Sequence, residues 1–227
     1  MGESFDPQSK AEFDKYAGSY DDLHAKNLAL SGESPEYFAI YKQKFLEKLL
    51  ERNTRVLDFG CGIGSLTRLV VESFDHVAGY DPSGDSVVLA KKRAPRATFY
   101  DDLDSIPVES FGAVVLANVL HHVPPEKRAG LMTSVARTVE PGGKIIVFEH
   151  NPINPVTRKV VRECEFDENA VLLYPSETRR LLGAAGMNKV TLDYIVFFPR
   201  ALSALRGMET ALSWLPMGAQ YAAWGTK

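Results

Sequence analysis

The run Val56-Leu57-Asp58-Phe59-Gly60-Cys61-Gly62-Ile63-Gly64 constrains this chain more than any other. An apolar strand passes directly into three closely spaced glycines, and an amphipathic stretch begins at Ser65. A strand, a sharp turn and a helix in succession account for that order. The glycines let the backbone turn and approach a ligand with no Cβ in the way, and the helix after them begins with free N–H groups. Further along, the apolar run His76-Val77-Ala78-Gly79-Tyr80 ends in Asp81-Pro82, twenty-three residues beyond Asp58. A second parallel strand there would set a carboxylate beside ribose hydroxyls. The loop does not have the G-x-G-x-x-G spacing of dinucleotide-binding folds, because its third glycine comes one residue early. That counts against a nicotinamide-dependent dehydrogenase.

After residue 50, strand and helix patterns alternate, as in a parallel sheet covered on both faces. Strands are expected near 54–59, 76–80, 97–100, 112–117, 143–149, 189–197 and 219–225, and helices near 65–73, 84–93, 125–139 and 176–185. The run Ala113-Val114-Val115-Leu116-Ala117 is apolar on both faces, as a central parallel strand is. The helix after it carries Leu131, Val135 and Val139 and is expected to stop at Pro141-Gly142-Gly143.

Together the glycine loop and Asp81 resemble class I S-adenosylmethionine (SAM)-dependent methyltransferases of the small-molecule type, whose first motif typically reads V-L-D-x-G-C-G-x-G. The resemblance covers roughly residues 13–150. It implies an α/β fold: a doubly wound, seven-stranded, mostly parallel sheet with helices on both faces and an antiparallel last strand. It implies SAM as cofactor and S-adenosylhomocysteine as product. Carried over position by position, Asp58, Gly60, Cys61, Gly62 and Gly64 lie along the methionine part, and Asp81-Pro82 lies at the ribose. Asp101, Asp102 and Leu103 lie at the adenine, with Asp102 favoured for its amino group. The segment Phe13-Asp14-Lys15-Tyr16-Ala17-Gly18-Ser19-Tyr20-Asp21 resembles the family's entry segment, a lid across the cofactor. Tyr16 and Tyr20 share a helical face there and would close on the sulfonium, whose charge is attracted to aromatic rings.

Ligands of open α/β sheets bind at the carboxyl ends of the strands. The fourth strand ends in Asn118-Val119-Leu120-His121-His122-Val123 and the fifth in Glu149-His150-Asn151-Pro152, so three of the five histidines gather at that edge. Asn118 is assigned to the cofactor site. Adjacent histidines in extended backbone face opposite sides, so one of His121 and His122 is structural, and His122 is the preferred pocket residue. His150 opens a polar loop stiffened by two Asn-Pro pairs, which is expected to touch substrate. In-line attack on a sulfonium methyl needs mainly alignment. A hydroxyl acceptor needs in addition a base near neutral pKa, which is assigned to His150 or else to His122. No metal site is expected, because no partner at ligand spacing accompanies the histidines.

The implied activity is methyl transfer to an oxygen or nitrogen of a small polar acceptor. The alternatives are a noncatalytic SAM-binding sensor or partner subunit, and a methyltransferase acting on RNA or protein. Lys and Arg total 26 against 29 Asp and Glu, a formal charge of −3, which argues against a nucleic-acid partner. The two cysteines, Cys61 and Cys164, make no disulfide framework. With no signal-peptide core and no run of eighteen apolar residues, the chain reads as cytoplasmic without a transmembrane segment. Residues 1–52 are expected to form a helical lid or cap, and 53–227 the SAM-binding core, with substrate-side insertions near 151–174 and 199–216. The cap includes a helix with Tyr37, Phe38, Tyr41 and Lys42. In the second insertion Ala201, Leu205, Met208, Leu212 and Leu215 make an apolar stripe with Arg200, Arg206 and Glu209 outside it. Packing on the sheet or pocket is the expected use of the stripe, and a homodimer contact the next.

Overall fold

A computed structural model describes residues 33–164 and 170–227. Seven strands form one sheet: β1 (Arg55–Phe59), β2 (His76–Tyr80), β3 (Thr98–Tyr100), β4 (Phe111–Ala117), β5 (Val139–His150), β6 (Asn188–Ile195) and β7 (Gln220–Thr226). Their order is β3-β2-β1-β4-β5-β7-β6, and β7 runs antiparallel to both neighbours. The chain leaves β1 toward β2 and β3 on one side and returns to β4 and β5 on the other. A crevice therefore opens at the carboxyl ends of β1 and β4, where the order reverses. This is the expected doubly wound fold.

Alternation along the strands divides the core into two layers. Leu57, Val114, Leu116, Ile145, Val147 and Tyr221 face one side. There they meet α4 (Arg128–Thr138) and α6 (Pro175–Ala184) through Leu131, Val135, Leu181 and Leu182. Val56, Val115, Ile146, Phe148 and Ala222 face the other side, against α1 (Pro35–Leu49) and α2 (Thr67–Ser73) through Leu46 and Val70. Two further helices, α3 (Gly84–Arg93) and α5 (Pro155–Arg162), follow β2 and β5.

Helix α1 starts where Ser34 accepts from the Tyr37 N–H, with Pro35 in the first turn, where its missing donor costs nothing. Its aromatics form a layer on the sheet: the Phe45 ring meets Phe148 and Trp224 edge-on, each at 5.4 Å. Among the described residues no helix is long and apolar enough to cross a membrane.

Two boundaries depart from expectation. The helix over 125–139 is a 3-10 turn at Pro125–Lys127 followed by α4. The Pro-Gly-Gly element does not precede β5 but lies within it. The β4 pairing jumps from Phe111↔Val139 to Ala113↔Lys144, so 140–143 bulge out, with Gly142 at φ 80°.

Candidate functional site

The glycine loop is stitched to the end of β2: the Gly60 and Cys61 N–H groups both donate to the Tyr80 carbonyl, at 2.7 and 2.9 Å. Gly60 sits at φ 76°, and a Cβ there would lie 2.6 Å from Val119 Cγ2. Glycine is therefore required on two counts, left-handed backbone and close approach. Gly62, also left-handed, has none of the described residues within 4 Å of a Cβ position.

Two carboxylates converge behind the loop. Asp81, 8% exposed, accepts from the Gly62 N–H at 2.8 Å and the Ser83 N–H at 3.0 Å. Asp58, 2% exposed, accepts from the Thr67 hydroxyl at 2.7 Å. Burial pushes the Asp58 carboxyl up to about 6, against the pull of the Thr67 hydrogen bond and of the Lys42 charge. Just beyond the outer strand β3, Asp101 and Asp102 are exposed and Leu103 is half-buried. Asp102 also caps the short turn Leu103–Ser105 by accepting from the Asp104 N–H at 3.1 Å. Pro82 is half-buried beside Asp81.

At the end of β4, Asn118 takes a left-handed backbone, φ 60°, which asparagine tolerates better than most residues. The Lys42 ammonium, reaching in from α1 and 7% exposed, donates to Asn118 Oδ1 at 3.2 Å. The Asn118 amide nitrogen lies 3.0 Å from His150 Nε2. Burial pushes the Lys42 amine down to about 8, opposed by the charges of Glu149 and Asp58.

His121 and His122 lie on a 3-10 turn, Leu120–His122, and not on the extended backbone expected, so their rings lie side by side and differ in burial. His121 is buried, with Nδ1 2.6 Å from Glu149 Oε2, while His122 is half-buried. The His121 ring lies 4.2 Å from that of His122 and 5.2 Å from that of His150. The turn carrying the pair is held from below by Arg128, 1% exposed, which donates to the carbonyls of Leu120, Val123 and Val171 and pairs with Glu177. Among the described residues no group of three or more His, Cys, Asp or Glu is arranged to hold a metal ion.

The two asparagines after β5 knit structure together. Asn151, fully buried, donates to the carbonyls of Pro216 and Gly218. Asn154 caps α5 and donates to the Met217 carbonyl. The stripe expected to pack inward does so only in part: Leu212 and Leu215 are half-buried, and its first three members are exposed. Leu205 and Met208 are 41% and 56% exposed on the 3-10 segment Arg200–Leu212, whereas Glu209, expected outside, is buried. Backbone demand explains the inversion: the Glu209 carboxylate accepts from the Phe197 and Phe198 N–H groups where β6 has ended. Arg206 also turns inward, stacking 4.2 Å over the Tyr37 ring and pairing with Glu33. Tyr16 and Tyr20 lie outside the described residues.

Sequence reasoning named the helix of Lys42 but gave the lysine no role, and it missed Arg128 and the Glu149–His121 pair. A lysine on the helix face of Phe38, Phe45 and Leu46 was the available signal.

The profile of a family described as a methyltransferase domain matches residues 56–143, the stretch from β1 through the bulge of β5. The chain carries a methyltransferase domain of class I fold. A trans-aconitate 2-methyltransferase of Mycobacterium ulcerans is 30% identical over 181 residues, 73% of this chain and 66% of its own length. An uncharacterized methyltransferase of Staphylococcus carnosus is 27% identical over 141 residues, 60% of this chain and 65% of its own. This chain thus spans just under two thirds of the length of these curated relatives. Among solved structures, a SAM-dependent methyltransferase of Thermotoga maritima, described as a possible histamine N-methyltransferase, superposes with a TM-score of 0.67 at 19% identity. The superposition covers 96% of this chain and 99% of that one, a likeness of fold. The methyltransferase domain match ends before His150 and does not include α1, so Lys42 and His150 both lie outside it.

Proposed function

We propose that the chain is a SAM-dependent methyltransferase acting on an oxygen or nitrogen of a small polar acceptor. The observation that carries this reading is the pose of Asp81: a buried carboxylate at the end of β2, held toward the glycine loop by the Gly62 and Ser83 N–H groups. Ribose hydroxyls are donors, and a carboxylate, an acceptor at both oxygens, is the group that matches a pair of them.

The surroundings fit that cofactor. Among the described residues none crowds Gly62, and Asp58, Asp81, Asp101 and Asp102 give this edge negative charge, suited to a sulfonium and an α-ammonium. The cofactor supplies a methyl group on a good leaving sulfur. In this reading the residues of the chain orient it: Asp81 holds the ribose, Asp101, Asp102 and Leu103 border the adenine, and Asp58 with Gly60, Cys61, Gly62 and Gly64 borders the methionine part. Tyr16 and Tyr20 are assigned to a lid within the 1–52 cap. The acceptor lies beside His122 and His150. Where the acceptor is a hydroxyl, the proton goes to His122, because Nε2 of His150 is already engaged by Asn118.

The same acidic edge argues against RNA, whose phosphates would meet Asp101, Asp102 and Asp104, all exposed. The named relatives carry different acceptors in their names, an acid and an amine, so the acceptor is not transferred from either.

Calorimetric titration of SAM and S-adenosylhomocysteine into the wild type and Asp81→Ala tests the reading. Binding to the wild type, weakened at least about tenfold in the variant by loss of charge-assisted hydrogen bonds, is expected. No binding to the wild type overturns it. Tight binding with no turnover across amine, hydroxyl and carboxylate acceptors favours a sensor or partner subunit instead.

A further inference from the structure

A lysine ammonium has three donors and no acceptor. Lys42 therefore fixes which end of the Asn118 amide faces it: the oxygen, at 3.2 Å. The amide nitrogen, which can only donate, is then the end that faces His150 Nε2 at 3.0 Å. For that contact to be a hydrogen bond, Nε2 must be an unprotonated acceptor, and the ring proton of the neutral imidazole must sit on Nδ1. Protonating Nε2 would set N–H against N–H. Turning the amide to relieve that clash would set its NH2 against the ammonium.

The backbone locks the relay at its middle. Asn118 is at φ 60°, and its N–H donates to the Phe148 carbonyl at 2.8 Å. Asparagine is the side chain that tolerates such backbone while offering one acceptor and one donor in fixed opposition. Lys42 in turn is held on α1 over the Phe148 ring, 6.0 Å from its centroid.

We propose that Lys42 is a positioning residue which, through Asn118, holds His150 neutral with its proton on Nδ1, so that Nε2 is engaged and His150 does not serve the acceptor as a base. The second half rests on the reading of this edge as the acceptor end of a methyltransferase site, while the tautomer itself does not. The acceptor class this suits is one that needs no proton taken by His150, a carboxylate above all. A carboxylate needs no base in order to be methylated, so His150 has no proton to take.

The test is long-range 15N–1H correlation of the imidazoles in uniformly labelled, ligand-free protein near neutral pH, with His150 assigned from the signal lost in His150→Gln. In the wild type the Nδ1–H form should exceed the Nε2–H form about tenfold, the bias one well-made hydrogen bond supplies. Lys42→Met should bring the two forms within a few-fold of each other. Lys42→Arg, which keeps a donor-only group, should retain the excess. Asn118→Asp, nearly isosteric and tolerant of the same backbone, should reverse it, because a carboxylate accepts from Nε2–H; this variant carries the test should Lys42→Met not fold. A wild type dominated by the Nε2–H form, or an Nδ1–H excess that survives Asn118→Asp, overturns the proposal. The readout needs neither cofactor nor turnover, so absence of SAM binding would sink the methyltransferase reading and leave this result standing.

Discussion

The Oε2 of Glu149 lies 2.6 Å from Nδ1 of His121, and both side chains are 1% exposed. Oε1 of the same carboxylate accepts from the Leu120 N–H at 2.7 Å. A single side chain at the end of β5 thus holds the turn after β4, and with it the position of His122. Burial alone would raise the Glu149 carboxyl. The charge of His121, its hydrogen bond and the Leu120 N–H outweigh that and leave it below its ordinary value of 4.5.

Glu149→Gln should therefore destabilise the fold by about 1–3 kcal/mol near neutral pH. A carboxyl depressed in the folded state stabilises above its unfolded value and loses that contribution as pH falls through the folded one. The deficit of the variant should shrink in acid, and urea denaturation of both proteins at the two pH values checks it. A deficit independent of pH would mean that the charge of Glu149 contributes nothing.

Asp58 has the opposite sign. Its carboxyl is raised from 3.8 to about 6, so the stabilisation it offers when protonated is complete below about pH 4 and lost as pH rises through 6. Asp58→Asn should be more stable than the wild type near neutral pH by about 2–3 kcal/mol, with the advantage gone in acid. It should also bind SAM more weakly, since the removed charge faces the proposed sulfonium. A rise in Tm accompanied by a loss of affinity is the expected pair of observations.

Gly60→Ala meets two costs that can be separated. A Cβ would lie 2.6 Å from Val119 Cγ2, and the backbone is at φ 76°. Overpacking and left-handed backbone cost about 1–3 and 1–2 kcal/mol respectively. Adding Val119→Ala should recover the first and not the second. Full recovery in the double variant would show that the backbone relaxes.

These residues divide by how they could be read. Asp58, Asp81 and the glycines were legible because a strand running into a glycine turn leaves local marks: apolar period, missing Cβ, a carboxylate at the strand end. Seven strands at near-correct boundaries followed from the same signals. Lys42 left only its place on an apolar helix face, and Arg128 and Glu149 left no local mark, because each works through partners far along the chain: Lys42 reaches Asn118, Arg128 reaches Val171, and Glu149 reaches His121. The stripe at 201–215 misled for a related reason. Apolar period identifies a helical face only where that face decides the packing, and here the unpaired N–H groups of Phe197 and Phe198 drew Glu209 inward.

Lys42 offers the last test, because its stability signature runs in the alkaline range. Burial lowers its amine from 10.5 to about 8. Between those values the unfolded chain binds a proton that the folded chain does not, so stability rises with pH there. Lys42→Met has no such group. The stability of the wild type relative to the variant should accordingly climb by about 3 kcal/mol from pH 8 to 10.5, the span of the shift. Taking the difference between the two proteins cancels the titration of the remaining lysines and tyrosines. Loss of the ammonium also removes a charge that holds Asp58 down, so the Asp58 transition should move to higher pH in Lys42→Met. A flat difference across the alkaline range, with Asp58 unmoved, would place the Lys42 amine in water and take away the anchor of the Asn118 amide.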